Sequence, residues 1–150
     1  MMLVSNLKGS IEIEVVYCDQ HLVEYQFRCS NGGFSGVASI YLNHNDLSSM
    51  ADGLSGFPAN QTDNREFELG TFDPNHADGG IRLHFYCLDS AGHGEVAVKL
   101  RGDKCKALGE VESVALRIPI EAAAVDSFVK QVKALEPQQI GGTACLVMAS

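Results

Sequence analysis

The chain has 150 residues, of which 45% are hydrophobic and 20% charged, ordinary globular usage that excludes disorder and fibrous repeats. Its formal charge is −8, and the whole deficit lies in the first eighty residues, where eleven acids face three bases. Nucleic-acid binding needs clustered Lys and Arg to neutralise phosphates, and the sequence holds no such cluster, so no nucleic acid is expected as a partner.

Period-two alternation opens the chain. Ile11, Ile13, Val15 and Tyr17 alternate with Glu12, Glu14, Val16 and Cys18. Val23, Tyr25, Phe27 and Cys29 alternate with Glu24, Gln26 and Arg28, and Phe34, Gly36, Ala38 and Ile40 with Ser35, Val37, Ser39 and Tyr41. The pattern predicts three strands, each with one face on a core and one toward water. Asp19-Gln20 and Ser30-Asn31-Gly32-Gly33 separate them as hairpin turns. Over 45–57 the period changes, with Leu47, Met50, Ala51, Leu54 and Phe57 recurring every three or four residues. That predicts a short amphipathic helix capped by Asn45 or Asp46, ended by Gly56 and blocked by Pro58.

Phe67 and Leu69, set between Glu66 and Glu68, predict a fourth strand. A loop over 73–80 precedes a fifth (Ile81, Leu83, Phe85, Cys87), and a turn over 89–94 precedes a sixth (Val96, Val98, Leu100). After a loop over 102–109, Val114, Leu116 and Ile118 mark a last strand over 111–118. Ile120, Ala124, Phe128, Val132 and Leu135 then predict a second helix that Pro137 stops. The expectation is a single α+β domain over 1–137 in the order βββαββββα. It is read as one antiparallel meander sheet of about seven strands, with two amphipathic helices packed on its apolar face. Residues 138–150 form a C-terminal tail that either adds an edge strand through Ala144-Cys145-Leu146-Val147-Met148, packs on a neighbouring molecule, or stays disordered.

Leu54-Ser55-Gly56-Phe57-Pro58, Phe67-Glu68-Leu69-Gly70-Thr71-Phe72-Asp73, Gly92-His93-Gly94 and Pro119-Ile120-Glu121-Ala122-Ala123 together resemble a group of small bacterial α+β proteins of unknown function. The resemblance spans roughly residues 10–135. It implies a bacterial origin and a compact antiparallel α+β domain, and it implies no activity or functional residue.

The amino-terminal residues lack the apolar stretch of a secretory signal, and no segment reaches the ~20 apolar residues of a membrane span. Five cysteines form an odd set without a C-x-x-C pair, which fits a reducing compartment. The chain is therefore expected to be cytoplasmic, with no membrane partner.

Phosphate-loop, dinucleotide, H-E-x-x-H and nucleophile-elbow motifs are all missing, so no cofactor is expected. One loop carries Asp73, His76 and Asp78, and His84 and His93 follow; imidazole and carboxylate together suit a divalent metal. Asp73, His76, Asp78 and His93 are thus the candidate metal ligands of a metal-dependent hydrolase, although Asp-Pro and Asp-Gly-Gly are also ordinary turn chemistry. Lys104-Cys105-Lys106 would favour a thiolate, but the sequence identifies no base or oxyanion site to go with it.

Glu12, Glu14, Glu24, Glu66 and Glu68 lie on the polar sides of their strands. Were those strands neighbours, the carboxylates would gather on one open face, interleaved by Arg28, Arg82, Lys99 and Arg117 or relieved by a partner. The preferred reading is a non-enzymatic binding protein of the immunity or accessory type, offering an acidic sheet face to a basic protein. The alternative is the metal-dependent hydrolase. A homo-oligomer formed through the tail or a sheet edge is a third expectation.

Overall fold

In the computed structural model, residues 9–73, 75–76, 78–104 and 111–149 are described. The elements run β1 (Ser10–Cys18), β2 (Val23–Ser30), β3 (Ser35–Leu42), α1 (Asp46–Leu54), β4 (Asn64–Gly70), β5 (Gly80–Cys87), β6 (His93–Lys104), β7 (Val111–Glu121), α2 (Ala122–Ala134) and β8 (Thr143–Val147). The alternating segments form strands and the three-and-four-spaced segments form helices, as their periods require. Among the described residues no helix is long and apolar enough to cross a membrane.

The single meander is replaced by two antiparallel sheets of four strands, ordered β3-β2-β1-β8 and β4-β5-β6-β7. The division falls where the hairpins stop. Short turns join β1 to β2 to β3 and β5 to β6, and a loop over 71–79 joins β4 to β5, while a stretch containing α1 separates β3 from β4. One sheet would also have left most of a wide apolar face to two helices of 9 and 13 residues. Two sheets instead share a continuous core with both helices, in which Phe27, Phe85 and Phe128 are wholly buried. Each such side chain contributes roughly 1.5–3 kcal/mol.

β3 crosses the second sheet near the ends of its strands, touching β4, β5, β6 and β7. Gly36 marks the crossing, because a Cβ there would lie 2.7 Å from Val114 Cγ1. Farther along, a Cβ on Gly79 would fall 2.6 Å from the Ser39 carbonyl. α1 packs on β4 and α2, and α2 packs on β8 and β7.

Three local expectations change. A bulge between Val15 and Tyr17 reverses the alternation, so Tyr17 faces outward. Phe34 falls in the β2–β3 turn and is 66% exposed rather than inward-facing. Ile120 ends β7 instead of starting the helix, and α2 buries Val125, Phe128, Val129 and Val132.

Candidate functional site

The loop leading to β5 is held by Arg101, a charged residue only 3% exposed. Its guanidinium donates to the Thr71 carbonyl at 3.0 Å and to the His76 carbonyl. Asp73 is spent on the turn, its Oδ1 accepting from the Asn75 amide at 2.9 Å and its carbonyl from the His76 amide at 3.0 Å. Asp73, His76 and Asp78 are exposed.

His93 lies elsewhere. The β5–β6 register pairs Gly80 with Arg101 at the loop end and Cys87 with Gly94 at the other, about 23 Å away at ~3.3 Å per residue. There the His93 ring meets the Asp89 carboxylate, Nδ1 to Oδ2 2.7 Å. The hydrogen bond and charge of Asp89 raise the His93 pKa, and His93 in turn lowers that of Asp89. The four candidate ligands therefore do not converge. No group of three or more His, Cys, Asp or Glu among the described residues is placed to hold a metal.

Cys105 and Lys106 lie outside the described residues. Cys29 is buried, and desolvation pushes its thiol up to about 12. A thiol–imidazole approach with no local signature joins Cys18 Sγ to His44 Nε2 at 4.0 Å. The same Nε2 lies 2.7 Å from the Asp19 carbonyl, which can only accept, so Nε2 carries the proton and has no lone pair for the thiol. The pair is not a nucleophile with its base.

The five glutamates are divided between the sheets. Glu12, Glu14 and Glu24 lie on the outer side of the first, where Arg28 stands opposite Glu12, bonds it, and reaches Glu14 at 3.0 Å. Glu66 and Glu68 lie on the second sheet. The common acidic face is corrected, because β4 does not neighbour β1 or β2.

The outer face of the second sheet is graded in charge. Its register sets Glu66, His84, Ala97 and Arg117 in one row and Glu68, Arg82, Lys99 and Ala115 in the next. Long side chains around Ala97 and Ala115 leave a hollow of about 850 Å³, with Asn31 and Phe34 among its lining residues. Arg82 bonds Glu68 at 2.6 Å and stacks over Phe72 at 4.1 Å. His84 Nδ1 stands 4.0 Å from Glu66, while its Nε2 is buried with no hydrogen-bond partner among the described residues. Burial, followed by a hydrogen bond to Glu95, pushes the Tyr86 hydroxyl up to about 12. Acids thus line the β4 margin and bases fill the middle.

That margin is an open sheet edge. The Thr71 amide donates to the Gly79 carbonyl at 3.2 Å, which fixes the phase of the β4–β5 ladder. Arg65, Phe67 and Leu69 exchange bonds with β5, so Asn64, Glu66, Glu68 and Gly70 turn amide and carbonyl groups away from the sheet. Among the described residues no donor or acceptor meets the outward groups of Glu66 and Glu68. α1 packs on β4 toward its own carboxyl end, where Gly53 leaves room for the Phe67 ring and Arg65 donates to the Gly53 and Ser55 carbonyls at 3.2 and 2.7 Å. Toward its amino end, Asp46, Ser49 and Met50 border a recess of about 470 Å³ beside Glu66, Leu69 and Gly70.

Sequence reasoning singled out Glu66 and Glu68 by their alternation. It missed the recess, since the approach of α1 to β4 leaves no local signal. No family model, curated protein or solved structure matches the chain.

Proposed function

We propose that the protein is a non-enzymatic binding protein of the immunity or accessory type, and that it takes a basic protein partner at the acidic margin of the second sheet. One observation carries the reading: Asp46 and Glu66 border an unfilled recess beside β4, and the Glu66 side chain is 76% exposed. The net charge of −8 adds long-range attraction for a basic partner.

The test uses the full chain as bait beside a Glu66→Gln, Glu68→Gln double variant. A basic protein is retained at low salt, released above roughly 0.15 M, where exposed charges are screened, and lost by the variant. Equal retention by the variant, or retention indifferent to salt, overturns the proposal.

A second reading, a small anionic ligand in the hollow, is favoured by Lys99 and Arg117. Neither has an acidic partner within salt-bridge distance among the described residues, and both line the cavity. Titration with inorganic phosphate tests it: a saturable shift of the Ala97 and Ala115 amide resonances that Arg117→Gln weakens supports this reading, and an unchanged spectrum removes it.

A further inference from the structure

We infer that the basic partner docks by adding an extended segment to the free edge of β4, with basic residues at alternate positions. The inference rests on the basic-partner reading and specifies its geometry. The outward amide and carbonyl groups of Glu66 and Glu68 are two residues apart, the repeat at which an added strand presents its own.

Side chains of such a strand alternate between the two sides of the sheet. On the outer side they stand beside the exposed Glu66 carboxylate and beside Glu68, whose Oε1 already accepts from Arg82, and the acidic Glu66 position selects Lys or Arg. On the inner side they enter the recess, whose walls include Leu42, Met50, Phe67 and Leu69 and whose rim carries Asp46. Ser49, Glu66 and Glu68 share that lining, so the recess takes a small apolar side chain against Met50 and Phe67 and does not require one. A second copy of this chain fits less well, because edge-to-edge pairing of β4 with itself sets Glu66 and Glu68 against their own copies, and like charges directly opposite destabilise a ladder.

The probe is an acetylated, amidated octapeptide of alternating lysine and valine, compared with its fully N-methylated analogue, which keeps charge and side chains but cannot donate to a strand. Binding to the full chain and amide hydrogen exchange are measured together at low ionic strength. The expected result is that the octapeptide slows exchange at Glu66 and Glu68 at least about tenfold, leaves Cys145 unchanged, and binds at least about tenfold tighter than the analogue. Equal binding by the analogue, or unchanged exchange at Glu66 and Glu68, overturns strand addition and leaves the basic-partner reading standing. Failure of both peptides to bind removes that reading and this inference with it. A concentration-dependent dimer in which Glu66 and Glu68 are already protected without peptide also overturns the inference, by assigning the edge to a second copy.

Discussion

The edges of β7 and β8 differ from that of β4 in what the chain places against them. On β8 the Gln131 side chain closes the edge like a strand fragment, its Oε1 accepting from the Cys145 amide at 2.9 Å and its Nε2 donating to the Cys145 carbonyl at 3.3 Å. On β7 the Asn31 side-chain Nδ2 donates to the Arg117 carbonyl at 3.0 Å, and the Ala149 backbone amide to the Pro119 carbonyl at 2.7 Å. β4 has neither kind of cover at Glu66 and Glu68. Unpaired strand edges invite other chains, so natural proteins cover or charge them. Of these three edges two are covered and one is charged, and the charged one is open to a strand of opposite sign.

Proline substitution gives the largest expected contrast. Phe67→Pro removes a donor bonded to β5 and an aromatic ring packed on Phe85, and should cost about 3 kcal/mol or more in chemical denaturation. Glu66→Pro removes an outward donor that bonds nothing, and should leave stability within about 0.5 kcal/mol. Equal losses at the two positions would mean that the ladder phase is wrong.

On the covered edges, Gln131→Leu uncovers both backbone groups of Cys145 and should cost about 1–3 kcal/mol, read from the shift in denaturation midpoint. Asn31→Ala breaks an exposed bond to β7 together with the two bonds that Oδ1 accepts from the Gly33 and Phe34 amides, all exposed, and should cost about 0.5–1.5 kcal/mol by the same measurement. A Gln131 variant no less stable than the parent would show that α2 does not close the edge.

The sequence's period carries the strands and helices because alternation at two and spacing at three or four record which side chains are buried. It does not carry sheet membership. Nothing in Phe67 or Leu69 says whether β4 pairs with β3 or begins a second sheet, and Ser10 meets Val147 across almost the whole chain. The glutamates were legible as outward-facing, but their grouping depended on that pairing. Asp73, His76, Asp78 and His93 looked like one cluster because they are near in sequence, and the length of the β5–β6 hairpin separates them. Gln131 reads as one more polar position on a helix, and its role depends on β8 lying alongside.

The smallest expected effect is in the Gly92-His93-Gly94 turn, which lies beyond the amino end of β4 and lines neither the recess nor the hollow. The His93 pKa is raised above 6.5, so the Asp89–His93 ion pair is complete below that pH and is lost as pH rises through the raised value. The Asp89 pKa is lowered, so at the acid limit the pair is lost as pH falls through that value. Titration by NMR should show the His93 pKa dropping toward its ordinary range in Asp89→Asn, with peptide binding at β4 unchanged.

Amide exchange along β4 in the free protein tests the central claim most directly. Glu66 and Glu68 should exchange rapidly while Phe67 and Leu69, bonded to β5, are protected, and Cys145 on the covered β8 edge should be protected as well. Uniform protection along β4, or exchange at Glu66 and Glu68 as slow as at Cys145, would show that the edge is already occupied and would contradict the account.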